Sequence, residues 1–209
     1  MKDHPARMYV AIEGLKGSGK STLLQSLLRE DALRDVQLIA PTKPSAPAHV
    51  HEHLWRVRPL QRCDLFREWV YARRAMLTAN SCDWTRSLII GDRSKLTSYA
   101  TRWTNWGDPR ACIERVNRQQ PDVPLPTHVV FLDVPITRLL CRLKGRARTY
   151  GRHDETETRL RETHRAYLAM TGMREYGFGD LAWHWIDADR APEVIHDLRR
   201  SPCLSSGWV

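Results

Sequence analysis

Glu13-Gly14-Leu15-Lys16-Gly17-Ser18-Gly19-Lys20-Ser21-Thr22 contains a complete GxxxxGKS run, and it follows directly on the apolar stretch Met8-Tyr9-Val10-Ala11-Ile12. That stretch reads as a strand. The residues after the run, Leu23-Leu24-Gln25-Ser26-Leu27-Leu28, have helical spacing, so the motif sits between strand and helix as phosphate-binding loops do. Glycine at 14, 17 and 19 lets successive backbone N–H groups converge on phosphate oxygens. Lys20 reaches the terminal phosphates, Ser21 can ligate Mg²⁺, and the helix N-terminus adds its dipole. The run from Glu13 to Thr22 is therefore the candidate binding set for ATP with Mg²⁺.

Working outward, the second strand is Val36-Gln37-Leu38-Ile39-Ala40, followed by a loop that Pro41, Pro44 and Pro47 keep out of any helix. Residues 65–80 carry a helical pattern, with Leu65, Trp69, Ala72 and Met76 on one face. Ser87-Leu88-Ile89-Ile90-Gly91-Asp92 is a third strand that ends in an acid. Thr127-His128-Val129-Val130-Phe131-Leu132-Asp133 is a fourth, continuously apolar as buried parallel strands are. Pro135 opens a helix to about residue 143, residues 154–170 form a polar helix, Trp183-His184-Trp185-Ile186-Asp187 is the last strand, and a helix over 191–199 closes the chain. This alternation predicts one α/β domain over residues 1–209, with a three-layer α/β/α P-loop NTPase fold on a five-stranded parallel sheet. Ligands are expected at the carboxyl ends of its strands. Disorder is expected at 1–6 and 201–209.

The chain has 209 residues with 33 Lys+Arg against 24 Asp+Glu, a net charge of +9 that favours anionic partners. Five scattered cysteines without a CxxC pair read as reduced thiols of a cytoplasmic protein. No apolar run approaches a membrane span, so no membrane partner is expected. Eight tryptophans are a high number, and exposed ones could stack on bases.

Phosphoryl transfer depends on cations around the migrating group and on acids that hold Mg²⁺. Arg142, Arg146, Arg148 and Arg152 lie beside Gly145 and Gly151, which is the composition of a mobile arginine-rich lid over about 144–153 that closes on phosphates and excludes water. Asp92-Arg93-Ser94 follows a buried strand. There Asp92 could hold Mg²⁺, directly or through water, or act as a base, and Arg93 could clamp an acceptor anion. His49, His51 and His53 alternate as zinc ligands on a strand face would, but no cysteine or second histidine group completes a site, and a polar loop accounts for them as well.

Taken together, the loop, Asp92-Arg93-Ser94, Phe131-Leu132-Asp133-Val134-Pro135, the arginine segment, the helix after it and Ile186-Asp187-Ala188 resemble the thymidylate kinase family in order and spacing, over roughly residues 9–198. The resemblance implies ATP- and Mg²⁺-dependent transfer to a thymidine-like acceptor, and it is compatible with a homodimer. On it, Lys20 is the loop lysine, Ser21 the metal hydroxyl, Arg93 the phosphate clamp and Arg74 the base-contacting arginine. The adenine loop falls near Asp187, Ala188 and Asp189.

The acceptor half departs from that family. Lys16 stands where the family carries an acid that binds a 3′ hydroxyl, and Lys43-Pro44-Ser45-Ala46 replaces Glu-Pro-Gly-Gly. Ser94 replaces a tyrosine, Val70 falls at a stacking aromatic, and Arg102 replaces the amide that reads the thymine edge. Three cations, Lys16, Lys43 and Arg102, thus join the acceptor side. An ammonium suits a phosphate better than a hydroxyl, and a 3′ phosphate marks a nucleotide inside a DNA chain. In this the sequence is similar to a bacteriophage branch of the family that phosphorylates the hydroxymethyl group of 5-hydroxymethyluracil in DNA, during thymidine hypermodification. That acceptor needs a base, for which Asp92 and Glu13 are the available carboxylates. Free dTMP as acceptor, and an ATP-binding nucleic-acid module without efficient transfer, remain the alternatives. The expected location is cytoplasmic, that of the host if the protein is phage-encoded.

Overall fold

A computed structural model describes residues 8–29, 36–44, 49–57, 59–145 and 155–189. Its centre is a five-stranded sheet of β1 (Met8–Gly14), β2 (Gln37–Ile39), β3 (Leu88–Asp92), β4 (His128–Asp133) and β5 (Ala182–Asp187). The strands run parallel in the order β2-β3-β1-β4-β5. The five expected strands are all present, four within one residue of their expected bounds and β1 two residues longer, through Gly14. Sequence neighbours β1 and β2 are separated by β3, so the chain crosses over from β1 to reach its partners on both sides, and the central carboxyl ends gather the loops after β1, β3 and β4.

Alternation along β4 explains the layers. Val129 and Phe131 face a core built with Leu96, Tyr99, Ile113, Tyr167 and Met170. Leu132 faces the other way, against Ile12, Leu23, Leu139 and Leu143. The helices supplying those two cores are α1 (Lys20–Leu27) and α6 (Ile136–Lys144) on one face, and α4 (Lys95–Ala100), α5 (Pro109–Gln119) and α7 (Glu157–Gly172) on the other. Burial on both faces is what makes β4 apolar from Val129 to Leu132. No helix among the described residues is long and apolar enough to cross a membrane.

Helix α3 (Asp64–Ser81) spans the expected segment, but its buried stripe differs from the expected one. Leu65 and Trp69 are exposed, whereas Glu68, Ala72, Ala75 and Ala79 are buried at positions i, i+4, i+7 and i+11. Small alanines let the helix approach closely. The buried Glu68 is tolerated because Arg115 of α5 donates to its carboxylate. The segment of alternating histidines forms the short helix α2 (Val50–Trp55) rather than a strand or loop. His51 is buried against Glu52, and no group of three potential ligands able to hold a metal occurs among the described residues. Residues 146–154, with Arg146, Arg148 and Arg152 of the expected lid, and 191–199 of the expected last helix lie outside the described residues.

Candidate active site

Gly14, at the end of β1, has φ +136°, and a Cβ there would lie 2.7 Å from the carbonyl oxygen of Leu132 and 2.8 Å from Ser18 Oγ. Only glycine lets β1 and β4 close on the loop at this point. Gly19 caps α1 at φ +97°, again a glycine conformation. Lys20 opens the helix and folds back over the loop, where its Nζ donates to the carbonyl oxygens of Gly14 (2.9 Å) and Leu15 (2.6 Å) and to Ser18 Oγ (3.1 Å). Its charge is thereby held inside the ring of backbone groups that the motif provides. Ser21 and Thr22 are exposed at the start of the same helix.

The loop after β5 comes to the same place. The backbone N–H of Ala188 donates to the carbonyl oxygen of Asp133 at 2.8 Å, and Ala188 packs into the core that holds Leu15, Leu139 and Leu143. Arg142 of α6 donates to the Gly17 carbonyl oxygen at 3.3 Å and lies 3.7 Å from Asp189, which also pairs with Arg138 at 3.6 Å. The two expected halves of a donor nucleotide site, the loop after β1 and residues 187–189, are thus bridged by one arginine.

Glu13 has a structural position that its motif leaves open. Its carboxylate is fully buried and accepts four hydrogen bonds: from Ser94 N (2.8 Å) and Ser94 Oγ (2.7 Å) on Oε1, and from Thr97 Oγ1 (2.8 Å) and Tyr167 Oη (2.7 Å) on Oε2. It ties β1 to α4 and α7. Burial, with the nearby carboxylate, pushes the Tyr167 hydroxyl far above the ordinary phenol range, so it stays a donor. With its acceptor sites engaged, Glu13 is not an available base. Ser94, which departs from the resemblance, accepts from Leu96 N as the N-cap of α4 besides donating to Glu13.

Asp92 ends β3, buried, with Oδ2 2.7 Å from the Nζ of Lys43. Lys43, expected to bind an acceptor anion, is exposed and turned to this carboxylate. Arg93 follows with φ +77°, the one non-glycine residue with positive φ among the described residues. A left-handed arginine costs about 1–2 kcal/mol, and such strain concentrates at working sites. Its backbone N–H donates to Ile12 O at 3.1 Å, locking the turn against β1.

A cavity opens beside the loop, lined by Gly14, Leu15 and Lys16 and by residues of α3, α4 and α7. Four of its lining side chains are cationic: Lys16, Arg67, Arg93 and Arg102. Lys16 Nζ lies 4.0 Å from Glu155. Arg67 bonds to Asp64, another wall residue, and to the Gln61 carbonyl oxygen. Two expectations about this wall are corrected. Arg74 does not line the cavity, because its guanidinium is buried in a fork with Glu52, with Nε to Oε1 and Nη2 to Oε2 both 2.6 Å, and is stacked against Trp55 and Tyr71. Val70 is a fully buried core residue, and the adjacent Tyr71 supplies the aromatic ring to the cavity. Arg67, Tyr71 and Asn105 were not singled out by sequence. A cation and an aromatic one turn apart on α3 were the available signal.

A parallel sheet in the order 2-3-1-4-5, a lysine-closed phosphate loop at its central strand and a cavity over the carboxyl ends are now assembled. The fold is that of the P-loop nucleotide kinases. Deoxyadenosine kinase from M. mycoides with products dCMP and a flexible dCDP bound superposes with a TM-score of 0.68 at 17% identity, over 95% of this chain and 100% of that one. The same enzyme with bound dATP gives 0.64 at 18%, over 93% and 100%. Thymidylate kinase from Candida albicans gives 0.66 at 15%, over 97% of this chain and 94% of that one. No protein-family model and no curated protein matches the chain. At these identities the likeness is one of fold.

Proposed function

We propose that this protein is an ATP- and Mg²⁺-dependent kinase that transfers the γ-phosphoryl group to a thymidine-like acceptor, the hydroxymethyl group of 5-hydroxymethyluracil in DNA. The observation that carries this reading is the cationic cavity joined to the phosphate loop, with Lys16 in its wall where a free 3′ hydroxyl would call for an acid. Such a wall favours an acceptor that brings its own phosphates, as a DNA strand does.

The roles follow from the positions. Lys20 and the loop N–H groups neutralise the donor phosphates, and Arg142 and residues 187–189 close the nucleoside side. The Ser21 hydroxyl and the Asp92 carboxylate are hard oxygen donors of the kind Mg²⁺ takes, and the ion when bound neutralises charge on the phosphate oxygens. Asp92, whose carboxylate holds an exposed lysine rather than four buried donors, is also the carboxylate suited to take the proton of the hydroxymethyl group. The freed oxygen then forms the bond to the γ-phosphorus as the bond to ADP breaks. Arg93, at the junction of loop and cavity, is positioned to carry the charge that develops between them, and Arg146, Arg148 and Arg152 complete that charge as lid residues. A base in duplex DNA has to leave the stack to enter.

A second reading, free dTMP as acceptor, is favoured by the likeness to a thymidylate kinase structure. Incubation with γ-labelled ATP and either dTMP or an oligonucleotide containing 5-hydroxymethyluracil separates the two. Label in the oligonucleotide is expected, and label in dTDP alone overturns the DNA reading.

A further inference from the structure

Two tryptophans are exposed among the described residues, Trp69 at 39% and Trp106 at 37%. Trp69 lies in a cluster of rings, its centroid 5.9 Å from Phe66 and 6.0 Å from His51. Trp106 is placed differently. The segment between α4 and α5 supplies Thr101, Arg102 and Asn105 to the wall of the cavity, and Trp106 follows Asn105 directly in the chain, just outside that lining. The guanidinium of Arg115 lies over its indole, 4.1 Å from the ring centroid, and Arg115 is itself fixed by the Glu68 carboxylate. The indole has no other ring, ionic or hydrogen-bonding partner among the described residues. The turn that carries it is tied down: Asn105 N donates to Arg102 O at 2.9 Å, Gly107 N to Thr104 O at 3.3 Å, and Arg159 Nη1 of α7 donates to the Asn105 side chain at 3.3 Å.

We propose that Trp106, backed by Arg115, is the stacking platform for the base next to the acceptor nucleotide in a DNA strand. This rests on the reading of the acceptor as a nucleotide within DNA. A tryptophan is on average a highly buried residue, so an ordered indole held in solvent beside a cavity is the informative exception. A cation on one face of the ring leaves the opposite face for a second π system, and every base has one, so the contact is tolerant of sequence. A strand whose acceptor base turns into the cavity leaves the neighbouring base without its stacking partner, and an indole beside the entrance replaces that partner. The charge suits a phosphate backbone: Arg110 is exposed on α5, while Asp108, the acid nearest Trp106 in the chain, is turned to the Arg110 N–H as the cap of that helix.

Single-stranded oligonucleotides with one central 5-hydroxymethyluracil test this, one intact, one abasic at the 5′ neighbour and one abasic at the 3′ neighbour. With the wild-type protein, one of the two abasic strands is expected to bind about five- to a hundredfold more weakly than the intact strand, the range of a single base–aromatic stack, as read by fluorescence anisotropy without ATP. Trp106→Ala is expected to bind the intact strand as weakly as the wild type binds that abasic one, and to lose nothing further on the abasic strand. Trp106→Phe is expected to recover most of the difference. A wild-type protein indifferent to both abasic positions, or a Trp106→Ala protein that stays sensitive to them, overturns the proposal. If the variants do not fold, the wild-type comparison decides. A mass by light scattering that falls in Trp106→Ala while DNA affinity holds makes the indole a protein contact and also overturns it. Strands bound through Trp106 but never labelled by γ-labelled ATP overturn transfer to DNA and uphold the platform. Full-rate labelling of both abasic strands upholds transfer to DNA and overturns the platform.

Discussion

Lys43 Nζ and Asp92 Oδ2 stand 2.7 Å apart, an exposed ammonium laid on the buried acid that ends β3. The pair joins the loop after β2 to the strand next to β1, and it places a monovalent cation against one of the two oxygen donors read here as metal ligands. A surface-exposed partner holds such a pair by no more than about 1 kcal/mol, so Mg²⁺ displaces it at modest cost. Lys43→Ala is therefore expected to lower the half-saturating Mg²⁺ concentration of the transfer reaction by about two- to fivefold. A Mg²⁺ titration of initial rate reads this directly, and an unchanged titration places the metal away from Asp92.

Lys20 is the loop cation, tied to Gly14 O, Leu15 O and Ser18 Oγ. Lys20→Ala is expected to lower transfer to every acceptor by about a hundredfold or more, the scale of removing one preorganised charge from a transition state. Stability falls as well, by about 1–3 kcal/mol, because two loop carbonyls lose their donor. The rate is accordingly read per folded molecule, with folding followed by circular dichroism. Transfer surviving near the wild-type level contradicts the role given to the loop.

Arg93 pairs function against backbone comfort. Arg93→Gly removes the cation and relieves the positive φ, so stability is expected to hold or rise by about 1 kcal/mol while kcat falls. Arg93→Ala, which loses the charge and keeps the strain, separates the two effects. Denaturant midpoints and kcat measured on both variants test this, and a parallel fall of stability and rate in Arg93→Gly runs against it.

Glu13 is expected to act through structure. Glu13→Gln keeps an acceptor for Ser94 N and lets the Thr97 and Tyr167 hydroxyls turn to accept, at a cost of about 1–3 kcal/mol. Glu13→Ala leaves the buried Ser94 N–H unpaired and opens a cavity, and is expected to cost more, about 3–5 kcal/mol. If Glu13 were the base, Glu13→Gln would instead stay fully stable and lose transfer. Urea unfolding beside a rate measurement distinguishes these.

Lys95 is buried with Nζ 2.7 Å from the Gln120 carbonyl oxygen, and burial lowers its pKa to about 8. Its unfolded value is near 10.4. Between those two pH values the unfolded chain holds the proton more tightly, so the Lys95 contribution to stability rises with pH, by up to about 1.4 kcal/mol per unit, and it is flat below pH 8. The difference in unfolding free energy between the wild type and Lys95→Met isolates that slope from the Cys82 and Cys112 thiols, which burial raises to about 11 and which act in the opposite direction. A difference that is constant from pH 8 to 10 contradicts the assignment.

What could be read from the sequence was what local chemistry decides. The phosphate loop is legible because its glycine geometry and its lysine are set within ten residues, and β4 because burial on both faces leaves an unbroken apolar run. Helix α4 was not legible. All six of its residues are buried, Lys95 included, so it has no amphipathic stripe, and what holds it is Glu13 and Tyr167, 84 and 70 positions away from their partner Thr97 on it. Helix α5 was not among the expected elements either, although its start, an Asp108 cap before Pro109, is written in the sequence. The phase of α3 was misread because its core face pairs alanines with a salt-bridged glutamate while Leu65 and Trp69 point outward. Arg74 and Arg102 show the limit at the site itself: Arg74 lies on an expected helix and Arg102 just past the unexpected α4, and only the position of Glu52, 22 residues before Arg74, shows that the Arg74 fork is engaged.

The most direct test of the central claim is the product. DNA containing 5-hydroxymethyluracil and free dTMP are incubated together with ATP, Mg²⁺ and the protein, and the DNA is then digested to nucleosides without a phosphatase step that attacks the base substituent and weighed by mass spectrometry. The account predicts that the 5-hydroxymethyldeoxyuridine peak gains the mass of one phosphoryl group and that Lys20→Ala abolishes the gain. An unshifted nucleoside, with dTMP converted to dTDP in the same mixture, would contradict it.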